Sequence, residues 1–89
     1  MEFTLHATIR SAQRGVPLEI VDVIYQYGHE ERVPGQAVRL TLDSEAIWLA
    51  YEDMPWLRGT LERYSNTYLV LSDNQRLITV ARRNTRFFH

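Results

Sequence analysis

The chain has 89 residues, 45% hydrophobic and 24% charged, with a formal net charge of −1 and no cysteine. That is one domain with one modest core, burying roughly 60 % of its unfolded surface, and it excludes a disordered chain, disulfide staples, thiolate catalysis and Cys-zinc sites. No apolar run approaches the ~18 residues of a membrane span, and MEFTLHATIR lacks the pattern of a signal peptide, so no membrane contact and a cytoplasmic location are the expectations.

Thr4 to Gly15 reads as a first helix, with Thr4 as N-cap and Gly15 as stop. His6, Arg10 and Arg14 recur every four residues, which sets an imidazole and two guanidiniums on one flank. Leu5, Ile9 and Ala12 form the neighbouring apolar stripe. By spacing alone, a solvated basic face is the ordinary reading of such a flank. Pro17 suits the first turn of a second helix, LEIVDVIYQYG, with Ile20, Ile24 and Tyr27 on one stripe, Val21 beside it and Gly28 as stop. So short a link predicts an antiparallel or angled helix pair.

Residues 30–42 read as two short extended pieces around Pro34-Gly35. In the second, Val38, Leu40 and Leu42 alternate with Arg39 and Thr41 as in a half-buried strand. Asp43 offers an N-cap for SEAIWLAYED, where Ile47, Ala50, Tyr51 and Met54 have helical spacing. Pro55 interrupts the run, and WLRGTLERY predicts a second short helix weakened by Gly59. Trp48, Trp56, Tyr51 and Tyr64 are read as packing material ahead of platforms for stacking bases.

The C-terminal third carries the strongest strand signal. TYLVLS and RLITVAR flank a turn at Asp73-Asn74-Gln75. Simple alternation puts Ile78, Val80 and Arg82 on one face and Thr79, Ala81 and Arg83 on the other. Helices covering Ile78 and Val80 would leave Thr79 and Arg83 on the far face. Arg86, Phe87 and Phe88 are a residue set used for single-stranded nucleic acid, but an edge strand docking two Phe into the core is the preferred reading. The order predicts an α+β fold: an N-terminal helix pair packed on a small antiparallel sheet, with a helical segment between the strand pairs.

Charge is unevenly placed. Residues 16–31, with Glu19, Asp22, Glu30 and Glu31, carry −4, and residues 43–62 also carry −4. Residues 63–89, with Arg63, Arg76, Arg82, Arg83 and Arg86 against Asp73, carry +4. Every basic side chain is Arg, the type suited to bidentate phosphate contacts and base stacking. The pattern fits one basic edge for an anion and acidic surfaces elsewhere.

There is no glycine-rich phosphate loop, no G-x-S-x-G elbow and no His-x-x-x-His zinc pair, so no metal or cofactor is expected. His29, after Gly28 in a loop, and the terminal His89 are read as uninvolved. His6, Arg10, Arg14, Thr79, Arg82 and Arg83 remain. Metal-independent RNA cleavage asks for a base on the 2′-hydroxyl, a cation on the pentavalent phosphate and an acid on the leaving 5′-oxygen. An imidazole such as that of His6 suits proton transfer near neutrality, and arginine suits the developing phosphate charge.

The run HATIRSAQRGVPLEIVDVIYQYG resembles the start of a family of small bacterial domains of unknown function, through His6, Ala7, Arg10, Arg14, Gly15 and Gly28. Leu77 to Arg83 resembles that family's terminal strand, and RLTLDSEAIWLAYED is similar to its helical segment. The family is grouped with RelE-, barnase- and colicin-like RNase toxins. The resemblance implies that fold, an endoribonuclease toxin with RNA as substrate, and an antitoxin protein as partner. Carried over, His6 is the base candidate, Arg10 orients it or binds phosphate, and Thr79 with Arg82 or Arg83 contacts the scissile phosphate. Arg14 and Arg86 complete a nucleic-acid-binding edge. A non-catalytic module binding nucleic acid or protein is the rival reading, and a homodimer stays open.

Overall fold

The computed structural model describes residues 15–74 and 76–82. The expected first helix, and with it His6, Arg10 and Arg14, lies outside the described residues, as do Arg83, Arg86 and the terminal Phe pair. The described chain is α+β: two α-helices and one four-stranded antiparallel sheet. No described helix is long and apolar enough to cross a membrane.

Helix α1 (Leu18–Tyr27) begins where Pro17, in extended conformation, presets the turn. It buries Ile20, Val21, Val23 and Ile24 and turns Glu19, Asp22 and Gln26 outward. Gly28 ends it with no room to spare: a Cβ there would stand 2.5 Å from the Ile24 carbonyl oxygen and 3.1 Å from Cβ of Leu40. Strand β1 (His29–Val33) follows at once, so His29 opens a strand and does not sit in a loop. A turn at Pro34-Gly35-Gln36, with Gly35 at φ +85 and Gln36 at φ 60, reverses the chain into β2 (Ala37–Thr41).

Asp43 caps α2 (Ser44–Asp53) as expected, its Oδ1 accepting from the Ala46 N–H at 2.9 Å. The stretch expected as a second short helix forms two 3-10 turns, Pro55–Leu57 and Leu61–Tyr64, with Gly59 at φ +86 between them. The Tyr27 hydroxyl donates to Asp53 at 2.6 Å and ties the C-terminal ends of the two helices, which raises the phenol's pKa.

Strands β3 (Thr67–Leu71) and β4 (Leu77–Arg82) complete a sheet in the order β1-β2-β3-β4. Leu40, Leu42, Leu69, Leu71, Leu77 and Val80 join α1 and α2 in a single core on one face of this sheet. Strict alternation fails in β4. Leu71 pairs with Leu77 and Val70 with Thr79, so Ile78 is an extra residue in a bulge. Leu77 therefore shares the core face with Val80, and Ile78 is exposed instead of buried beside it.

The two tryptophans also depart from expectation. Trp48 is 67% and Trp56 73% exposed, so neither is packing material. Tyr51 is buried and Tyr64 packs against the core, as read from the sequence.

Candidate functional site on the second face of the sheet

The strand register builds two rows on the sheet face opposite the core. Glu31 pairs with Arg39, Arg39 with Val70 and Val70 with Thr79. In the adjacent row His29 pairs with Thr41, Thr41 with Tyr68 and Tyr68 with Ala81. Side chains on one face repeat every second residue, so His29 and Glu31 stand side by side, with Cα atoms roughly 7 Å apart along the strand.

Arg39 is the centre of this face. Its Nη2 donates to Oε1 of Glu31 at 3.0 Å, a cross-strand ion pair. Its Cζ lies 5.8 Å from the centroid of the Tyr68 ring. Held by a carboxylate on one side and a ring on the other, the guanidinium loses little further freedom when it binds an anion. Its Nε and Oγ1 of Thr41 are buried with no hydrogen-bond partner among the described residues. Oγ1 of Thr67, on the core side of the sheet, is a third such atom.

Of the residues read from the sequence, Thr79 falls on this face, half-buried at the end of the Glu31–Arg39–Val70 row. Arg82 does not join it. It pairs with Thr67, whose side chain is in the core layer, and its guanidinium lies 5.2 Å from the Tyr64 ring and donates to the Arg63 carbonyl. Arg82 thereby clasps β4 to the second 3-10 turn. Sequence reading missed Glu31, Arg39 and Tyr68, and set His29 aside. The signal lay in the alternation of His29, Glu31 and Val33 against Arg39 and Thr41, which becomes a site only once the pairing register is known.

Two grooves lie elsewhere. One of about 830 Å³ has Val38, Leu40 and Leu71 among its lining and balances Glu30 and Asp73 against Arg32. The other, about 450 Å³, runs beside Trp48 between α2 and the second 3-10 turn. There Tyr51 donates to Glu62 and accepts from the backbone of Gly59 and Leu61. The Tyr51 bond is the main reason the Glu62 carboxyl is held low; burial first, and then Glu62, pushes the Tyr51 phenol up. Among the described residues, no group of three or more His, Asp or Glu side chains could hold a metal ion.

No protein-family model, no curated protein and no solved structure matches this chain at a significant level.

Proposed function

We propose that this chain is a metal-independent endoribonuclease of the toxin kind, akin to the RelE- and barnase-like group, acting on RNA at the second face of the sheet. The observation that carries the reading is the clustering of His29, Glu31, Arg39 and Tyr68 there by register, with Arg39 fixed between Glu31 and Tyr68. Arg39 meets the scissile phosphate, and Tyr68 stacks on a flanking base. His29 and Glu31 take the acid and base roles: one accepts the 2′-hydroxyl proton as the 2′-oxygen attacks phosphorus, and the other protonates the departing 5′-oxygen. The products are a 2′,3′-cyclic phosphate and a free 5′-hydroxyl, with no oxidant or metal required. Thr79 extends the phosphate contact at the end of the row. His6, as the alternative imidazole, Arg10 and Arg83 enter the same proposal through the family resemblance, as do Arg14 and Arg86 for RNA binding and an antitoxin as the covering partner; Arg82, held by the Arg63 carbonyl and the Tyr64 ring on the core side of β4, does not.

The test is cleavage of an end-labelled RNA by the full chain in EDTA, with His29→Ala, His6→Ala and Arg39→Ala alongside. Cleavage that falls about 100-fold or more in Arg39→Ala and in one of the histidine variants supports the enzyme and identifies its imidazole. Binding of RNA without cleavage leaves the non-catalytic nucleic-acid module. Neither binding nor cleavage refutes RNA as the ligand.

A further inference from the structure

The outward side of α2 carries a feature that the sheet face does not explain. Trp48 is 67% and Leu49 48% exposed. Single exposed apolar residues are ordinary, but a tryptophan walling a groove is how protein interfaces present an anchor. The groove of about 450 Å³ beside it is lined by Ile47 and Tyr51 and, from the 3-10 segment, by Arg58 and Glu62. Glu45 precedes Trp48 by three residues and Glu52 follows it by four, so both carboxylates share its side of the helix, one turn toward each end. Neither has a hydrogen-bond or ion-pair partner among the described residues.

We propose that this side of α2 docks a basic amphipathic helix of a partner protein. An apolar side chain of the partner enters the groove against Trp48, and Lys or Arg one turn to either side meets Glu45 and Glu52. The charges select this occupant. Two unpaired carboxylates repel RNA and an anionic membrane surface. A second copy docking through the same face would set Glu45 and Glu52 against their own duplicates. The surface belongs to the helical layer, so it operates whether or not the sheet face cleaves RNA.

The probe is a synthetic helix of about 14 residues with Lys at i and i+7 around Leu at i+3 and i+4, titrated by calorimetry into the full chain. A twin with Glu in place of Lys is the control. The basic helix should bind and the acidic one should not. Trp48→Ala should weaken binding roughly 30-fold, the loss expected of a central aromatic anchor. Glu45→Lys with Glu52→Lys should reverse the preference between the two peptides. All three positions are exposed, so the variants should keep the circular-dichroism spectrum of the parent. Equal binding of both peptides, no binding of the basic one, or an affinity indifferent to Trp48→Ala or to the charge reversal would overturn the proposal.

Discussion

Replacing Tyr51 by Phe removes one oxygen and takes a partner from three groups. The ring is buried against the core, and Phe keeps that packing. The hydroxyl donates to the Glu62 carboxylate and accepts from the N–H of Gly59 at 3.0 Å and of Leu61 at 3.3 Å. Leu61 is 0% exposed, so its N–H finds no water once the oxygen is gone. An orphan of that kind costs about 1–3 kcal/mol. Gly59 and Glu62 are exposed and can turn to solvent, so they add little. A loss of about 2 kcal/mol corresponds to a fall in Tm of roughly 8–16 °C for a domain of this size. The pH profile carries a second signature. The Glu62 carboxyl is held below its ordinary value of 4.5, chiefly by Tyr51, so it contributes stability that is present above that value and lost as pH falls through the folded one. The Tyr51 phenol is raised above 10.0 by burial and then by Glu62, so its contribution is complete below that value and lost as pH rises through the folded one. Tyr51→Phe should therefore flatten both limbs. Urea unfolding followed by circular dichroism, from about pH 3 to about pH 11, reads all of this. A loss under about 0.5 kcal/mol at neutral pH, or an acid limb as steep as the parent's, would refute the reasoning.

Two further substitutions test the local account of the fold, beside the RNA and peptide experiments above. Gly28→Ala should destabilise by about 1–3 kcal/mol, because the added methyl meets the Ile24 carbonyl at 2.5 Å between α1 and β2; an unchanged urea midpoint would show that the junction gives way freely. Asp43→Ala should cost about 1 kcal/mol by leaving the Ala46 N–H uncapped, and Asp43→Asn should recover most of it; equal loss in both would place the effect elsewhere than the cap.

Where one residue's chemistry dictates the backbone, the sequence was readable. Pro17 and Gly28 bracket α1, Pro34-Gly35 marks the first hairpin and Asp43 caps α2, each through a constraint local to a few residues. Hydrophobic patterning located the core stripes for the same reason. It could not say that Trp48 would stand in water, because a large apolar side chain carries the same signal whether it faces its own core or another molecule. Register was the other blind spot. Glu31, Arg39 and Tyr68 come from three strands, and their meeting depends on which residues pair, which no one-dimensional period contains. A helix stop at Gly28 suggests a loop for His29, whereas β1 starts at His29 itself.

The bulge in β4 links the core to the candidate site. In an unbroken ladder, Leu71 would face Ile78, and Leu77 would turn to the same side as Thr79. The chain instead spends one extra residue: Leu77 enters the core at 5% exposure and Ile78 is left 45% exposed. The exchange looks neutral for burial, one aliphatic side chain in and one out. Its effect is confined to the residues before Thr79. Beyond the bulge, Thr79 and Ala81 stand opposite Val70 and Tyr68 as they would in an unbroken ladder, and the extra residue lets Leu77 join Val80 in the core while Thr79 extends the row that begins at Glu31 and Arg39. At the opposite end of β4 from the bulge, Arg82 reaches the Arg63 carbonyl and the Tyr64 ring, clasping the strand to the 3-10 turn that borders the Trp48 groove. β4 thus serves two purposes along its length: the bulge at its start brings Leu77 into the core beside Val80, and Arg82 at its end fastens the sheet to the helical layer.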